Sequence, residues 1–463
     1  MMNRLRQIYE NPELRRRIIF TLAMLAFYRL GVHVSVPGVN AAALVTHLGK
    51  AGDLFNVMDL FSGGAFKKFS VFALGITPYI TASIVLQLMG AVVPQLEQLQ
   101  KKEGEAGREK INQWTRYLTV FLAFVQGFGI ASLAQGLGPD VVVHPGTGFK
   151  IMAAFTLSVG AIFVMWIGEQ ITNRGLGNGI SLLIFAGIVA GLPAGVTTLG
   201  KMFRDSLANT GTVPPPGIFL LLFAAMFAVL IAVVMVESAY RNIPIHYARR
   251  ADSSLMASQR SSYMPLKVNT AGVMPVIFSG SIIFFPATIA QFTKWEWLAR
   301  AADYLNPSTH FWFYAPIFVS VTIFFAFFYT SIVFNPDETA DNMKKSGGYI
   351  PGIRPGKETS AYLDSILSKL TFAGAIYLAV VSIVPLILLN KMPGLNFYYG
   401  GTSLLIVVGV ALDTVAQMES YQIMRKYDGF LEKGRIRGRS GATPTPGAPV
   451  GGGSRYSTRS ENA

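Results

Sequence analysis

Long apolar segments separated by polar stretches run along most of this chain. Ten of them approach the roughly 20 residues that an α-helix needs to cross the hydrocarbon core of a bilayer. The predicted spans are Ile18–Val36, Phe72–Val93, Tyr117–Gln135, Ile151–Ile171, Gly179–Gly200, Gly217–Val236, Thr270–Gln291, Phe311–Phe334, Leu370–Leu389 and Gly401–Met418. The pattern therefore predicts an all-α polytopic membrane protein with ten transmembrane helices.

The composition supports a membrane protein and excludes several types of functional site. Charged residues make up 14% of the 463 residues, against about 25% in soluble domains. Cysteine is absent, which excludes disulfides, thiolate catalysis and cysteine-bound metals. HExxH and GxSxG motifs are also absent, and the loop ending at Lys357 lacks the glycine spacing of a phosphate-binding P-loop. We therefore expect no metal site, no cofactor and no enzymatic activity.

Basic residues predict the topology. Of the 39 Lys and Arg residues, 29 lie in the N-terminus, in the loops after the second, fourth, sixth and eighth spans, and in the C-terminal tail. Because basic residues accumulate on the cytoplasmic side, both termini are predicted to be cytoplasmic, which agrees with an even number of spans. The net charge of +14 thus reflects topology rather than nucleic-acid binding.

The order of spans and loops suggests a division into two halves. Internal repeats are common in transport folds, although the two halves of this chain show no sequence similarity that we can detect. The expected parts are a cytoplasmic N-terminus (1–17), a half with spans one to five (18–200), a half with spans six to ten (201–418) that carries cytoplasmic loops 240–267 and 335–369, and a cytoplasmic tail (419–463) that is expected to be disordered from about 441.

The segment Leu54–Ser70 is half apolar but too short and too charged to span a membrane. It contains Asp59, Lys67 and Lys68, which are costly in lipid. Such a segment lies at the interface or re-enters the membrane where protein or water surrounds it. The pair Gly63-Gly64 permits a bend. Both a movable plug in a pore and a loop on the membrane surface fit these properties.

Two pairs of isoleucines recur at helical spacing. Ile76 and Ile80 lie four residues apart, as do Ile180 and Ile184, so each pair shares one face of a helix. A ring of such stiff apolar side chains would form a dry constriction of the kind that gates pores by dewetting. Contact with lipid or ordinary packing explains the same spacing and is the commoner outcome.

Ionisable residues are scarce within the spans. Glu169, Glu237, Asp413 and Glu419 fall at predicted span ends, whereas ion-coupled transporters place such groups inside the membrane. This disfavours a secondary transporter of small solutes. An intramembrane enzyme is the other alternative, and the spans contain no catalytic constellation. The Gly- and Pro-rich loop around Arg354 predicts defined turns, which suit either partner docking or topology alone.

Two long motifs, Phe72–Gln87 and Glu169–Ser181, resemble the two signatures of the SecY family of bacterial Sec translocase channels. The long tail after Gly434 departs from the shorter family pattern. Further similar segments, in family order, are Phe61–Gly64, Lys102–Gly104, Pro265–Asn269, Ala271–Pro275, Phe285–Ile289, Phe334–Asp341, Pro351–Pro355 and Gly400–Ile406.

The resemblance implies a central pore clamped between two pseudo-symmetric five-helix halves. It implies a pore ring formed by Ile76, Ile80, Ile184, Ile277 and Ile406. It also implies a plug that includes Leu54, Phe55, Met58, Phe61, Ser62, Gly63, Gly64 and Ser70. A lateral gate opening to lipid is expected at Thr81, Ser83, Gln87, Gln126, Ser281 and Phe285.

The resemblance also implies the partners and the location. Arg249, Arg250 and Arg354 are expected to dock the motor ATPase SecA and the ribosome. SecE and SecG subunits would complete a channel in the bacterial plasma (inner) membrane. The expected cargo is unfolded secretory proteins, which cross the bilayer, and membrane proteins, whose segments leave sideways into lipid.

Overall fold

The computed structural model describes residues 11–40, 43–44, 46, 59, 62–101, 104–138, 140–207, 216–247, 262–290, 295–306, 309–390 and 401–439. The chain forms two compact units, Met1–Ala416 and Gln417–Ala463. The helices are α1 (Pro12–Gly31), α2 (Thr77–Val92), α3 (Pro94–Lys101), α4 (Gly104–Leu137), α5 (Thr147–Arg174), α6 (Gly179–Leu207), α7 (Pro216–Glu237), α8 (Met274–Ala290), α9 (Glu296–Tyr304), α10 (Phe311–Val333), α11 (Pro336–Lys345), α12 (Lys357–Asn390) and α13 (Gly401–Arg439). The strands are β1 (Tyr240–Tyr247), β2 (Ser262–Lys267) and β3 (Gly348–Tyr349).

Each of the ten predicted spans overlaps one of the longer helices, which confirms the polytopic helical class. Within the described residues, six helices are both long and apolar enough to cross a membrane. α1 contains four arginines, Arg15, Arg16, Arg17 and Arg29, and is not among these six helices. α2 has only 16 residues. The most extensive contacts among these helices are those of α4 with α5, α10 with α12, α2 with α4, and α8 with α10, while α2 and α8 meet over a smaller contact.

The first two spans were predicted with wrong helix limits. α1 ends at Gly31 because the chain then becomes extended: the Val36 N–H donates to the Phe69 carbonyl at 2.9 Å, and the Val71 N–H donates to the Val34 carbonyl. α2 begins only at Thr77, where Pro78 lies in the first helical turn, the position that proline favours. Residues 71–76 are turns that are as apolar as a helix, so hydropathy could not separate them.

The two long loops predicted to be cytoplasmic were interpreted as polar connections, but the structure gives them a shared fold. β1 pairs antiparallel with both β2 and β3, in the order β2-β1-β3. Ile243 and Ile245 alternate along β1 and point into an apolar cluster that includes Met343 of α11 and Leu363 of α12. This small sheet is an exception to the all-α prediction, and the alternating isoleucines were its sequence signal.

Among the described residues, the core of the membrane part consists of three large buried apolar clusters and a small one formed by Ala271, Ala326 and Ala375. One joins α4, α5 and the turns around Phe69. Another joins α8, α10, α12 and α13 around Phe318 and Leu405. The largest lies between them and draws residues from helices of both predicted halves. This central cluster contains the candidate functional residues.

Candidate functional site

The five isoleucines predicted for the pore ring meet in the central cluster. Ile76, Ile80, Ile184, Ile277 and Ile406 all belong to it, and each is at most 8% exposed. Ile76 is the residue that precedes α2, and Ile80 lies one turn into that helix. The remaining three come from α6, α8 and α13. Residues more than 300 positions apart in the chain therefore converge on one apolar centre.

The central cluster consists of apolar side chains and includes more residues than the five of the predicted ring. Ile188 is fully buried in it, one turn after Ile184, while Ile180 packs against it from one turn before. The sequence analysis missed Ile188, although its spacing continues the same stripe. Phe278 also joins the cluster and contacts Phe325 edge-on, with 5.8 Å between ring centroids. Such an arrangement offers no ligand that could replace the hydration shell of an ion.

The predicted plug segment is described at Asp59 and from Ser62 onward. The Asp59 carboxylate is buried but satisfied: it accepts from the Lys67 N–H at 3.0 Å and lies 3.4 Å from the Lys67 ammonium. Ser70 is fully buried and bridges to Ser35. The last residues of the predicted plug are therefore fixed in the core. Leu54, Phe55, Met58 and Phe61 lie outside the described residues.

The predicted lateral gate has Thr81, Ser83 and Gln87 on α2 and Ser281 on α8, and these two helices are in contact. Its hydroxyl groups bond to their own helices, since Thr81 donates to the Thr77 carbonyl and Ser281 donates to the Ile277 carbonyl. Gln87 donates to Ser83, but its Oε1 atom is buried and accepts no hydrogen bond within the described part of the chain. Gln126 lies on α4 and Phe285 on α8. The contact between α2 and α8 is thus not locked by hydrogen bonds between these side chains.

Arg354 is exposed and lies in a rigid frame. The Ile353 N–H donates to the Ile350 carbonyl, which closes a turn with Pro351 and Gly352 at its centre. Gly352 has φ +82°, as the third position of a type II turn requires. This confirms the predicted turn. The Arg354 carbonyl in turn accepts from Thr359 at the start of α12. Arg249 and Arg250 lie outside the described residues.

Charged groups at the predicted span ends are paired rather than buried alone. Arg116 of α4 bonds to Glu169 of α5 at 2.7 Å. Lys267 at the end of β2 lies 3.2 Å from Asp413 of α13. Partial burial opposes the charged form of Lys267, but attraction to Asp413 and the hydrogen bond with it outweigh burial, so the pKa of Lys267 is raised.

Comparison with known proteins supports this arrangement. The SecY family profile matches residues 70–415. The protein translocase subunit SecY of Escherichia coli K12 is 44% identical over 433 residues, which cover 92% of this chain and 96% of that protein. The protein translocase subunit SecY of Aquifex aeolicus VF5 is 42% identical, and the alignment covers 94% of this chain and 100% of that protein.

Solved structures give the same fold at low sequence identity. A structure described as that of a protein conducting channel aligns with a TM-score of 0.65 at 16% identity, covering 88% of this chain and 92% of that one. A structure of the Sec61 channel in a canine ribosome-channel complex aligns with a TM-score of 0.61 at 16% identity, with the same coverage.

Fold and site together define a polytopic helical membrane protein whose two predicted halves both contribute to one buried apolar cluster. The chain belongs to the SecY family of protein translocase subunits. The predicted role as the central protein-conducting channel of a Sec translocase is thereby confirmed.

Proposed function

We propose that the five isoleucines close the resting channel and that the two halves separate around a translocating polypeptide. The observation that carries this proposal is the convergence of Ile76, Ile80, Ile184, Ile277 and Ile406 on one buried cluster. An ion entering such a constriction loses hydration without compensation, whereas an extended polypeptide gains apolar contacts. The pore ring therefore seals against ions and yields to cargo.

We further propose that α2 and α8 form the lateral gate. They contact each other, and the hydroxyls of Thr81 and Ser281 donate to carbonyls of their own helices. Separation of α2 from α8 thus breaks apolar contacts but none of these hydrogen bonds. A transmembrane segment of the cargo can replace those contacts as it passes into lipid.

Partners supply energy and complete the assembly in this proposal. The channel is passive and is driven by the motor ATPase SecA or by a translating ribosome. SecE and SecG subunits complete the channel in the bacterial inner membrane, with both termini in the cytoplasm as the basic loops predict. The exposed Arg354, together with Arg249 and Arg250 from the segment between β1 and β2 in the sequence, provides the docking surface.

A reconstitution experiment tests the proposed function. The chain is placed in lipid vesicles together with SecE and SecG, and a secretory precursor, SecA and ATP are added. We expect ATP-dependent protection of the precursor from added protease, and no protection when the chain is left out. Binding of SecA without any protected precursor would contradict the channel role.

A further inference from the structure

One arginine lies on the side of the membrane where basic residues are rare. Arg29 occupies the last turn of α1 and is partly buried. The predicted topology puts this end of α1 on the non-cytoplasmic side. A guanidinium at the edge of the apolar core is costly unless it has a partner. The membrane topology alone does not account for an arginine here, so the hydrogen bonds of Arg29 matter.

Arg29 and its neighbour hold two consecutive carbonyls of the plug segment. The Arg29 Nη1 atom donates to the Gly63 carbonyl at 2.6 Å, and the Tyr28 hydroxyl donates to the Ser62 carbonyl at 3.3 Å. Tyr28 is itself part of the central isoleucine cluster. Hydrogen bonds from a charged donor are stronger than those between neutral groups. Arg29 therefore provides the stronger of the two contacts.

The plug segment is tightly packed at Gly63. Gly63 has φ +65°, and a Cβ atom added there would lie 2.7 Å from the Gly187 Cα atom of α6 and 3.0 Å from Arg29 Nη1. Gly187 adjoins Ile188, which lies in the central cluster. The Gly63 backbone is thus clamped between α1 and the helix that carries Ile184.

The segment is organised internally around Asp59. The Gly64 N–H and the Ser62 hydroxyl both donate to the Asp59 carbonyl at 3.0 Å. These local bonds can persist when the contacts to α1 break. The other end of the segment is fixed by the bridge between Ser70 and Ser35. The geometry thus gives a small unit that is tethered after Phe69 and held at Gly63.

We infer that Arg29 is a latch that keeps the plug seated in the resting channel, and that release of its bond to Gly63 accompanies opening. This inference rests on the proposed role of Leu54–Ser70 as the plug. Arg29 acts as a positioning residue: it restrains the segment and does not line the pore ring. Tyr28 provides the weaker second contact.

Thiol labelling tests the latch without requiring transport. Because the chain has no cysteine, Ser62→Cys provides a single thiol at a site that is 3% exposed. The probe is a membrane-impermeant maleimide, and labelling is compared among Arg29→Ala, Arg29→Lys, Tyr28→Phe and the control Arg300→Ala. Arg300 is an exposed arginine that bonds to Glu296 one turn away.

We expect Arg29→Ala to label at least about tenfold faster than the parent, as loss of a charged hydrogen bond implies. Arg29→Lys and Tyr28→Phe should show smaller increases, and Arg300→Ala should show none. Equal labelling rates for Arg29→Ala, Arg29→Lys and the parent would overturn the latch. If Arg29→Ala does not accumulate in the membrane, Arg29→Gln replaces it under the same criteria.

A double variant separates the latch from a packing role. In planar bilayers, Arg29→Ala should raise the resting conductance of the full-length channel but add nothing in a channel lacking residues 54–64, because the Gly63 acceptor is gone. An equal increase in both channels would assign Arg29 to helix packing and overturn the latch. If the deletion itself leaves conductance unchanged, the plug role fails, while the labelling rates still report the Arg29 contact.

Discussion

Replacing both Ile80 and Ile184 by serine should make the resting channel conduct ions. Both side chains are almost fully buried in the central cluster, from α2 and α6. Serine leaves a gap and supplies hydroxyls that hold water, so the penalty for ion entry falls. Since every 1.4 kcal/mol corresponds to a tenfold change, we expect at least about a tenfold rise in resting conductance in planar bilayers.

A matched pair of isoleucines outside the cluster provides the control. Ile151 of α5 and Ile376 of α12 are 48% and 43% exposed, as expected of side chains that face lipid. The same double replacement there should leave the resting conductance unchanged. Equal leakage from the two double variants would show that general destabilisation, and not loss of a seal, raises the conductance.

Arg354→Glu should abolish most ATP-driven export while leaving the channel folded and closed. The Ile350–Ile353 turn and the bond from Thr359 hold Arg354 in an exposed position. A guanidinium in such a frame can make bidentate contacts with an acidic partner. We expect translocation with SecA to fall at least about tenfold, as loss of a charged contact predicts. Arg354→Lys should be intermediate because lysine keeps the charge but loses the planar fork.

Arg241, an exposed arginine on β1, provides the control for Arg354. Arg241→Glu makes the same change of charge on the cytoplasmic sheet, so its translocation activity should stay close to that of the parent. Measured SecA binding should fall with Arg354→Glu in parallel with export. Normal export by Arg354→Glu would remove the docking role from Arg354.

The helices were predictable because a membrane span requires a long apolar stretch whatever its neighbours. Their limits were less predictable where buried turns share that hydropathy, as at 71–76 before Thr77. The small sheet was missed because Ile243 and Ile245, two isoleucines in a polar loop, are a weak signal for β1. β3 gives no local signal at all, since it has only two residues and pairs with β1 about 100 residues away.

The candidate site was only partly predictable from residue spacing. Spacing marked Ile76 with Ile80 and Ile180 with Ile184, but contact with lipid or ordinary packing is the commoner cause of that spacing. Ile277 and Ile406 came only from the family resemblance, because single isoleucines on separate helices leave no pattern. The contact of Arg29 with Gly63 spans 34 residues and depends on a tertiary approach that no local pattern encodes.

Cross-linking of an arrested polypeptide tests the central claim most directly. Because the chain lacks native cysteine, a single cysteine can be placed at Ile184, at Ile406 or at the exposed control Ile151. A precursor with one cysteine is stalled in the channel by a folded domain at its end. Passage through the pore ring predicts disulfides with the positions Ile184 and Ile406 and none with Ile151. Efficient stalling without a cross-link at either cluster position would contradict it.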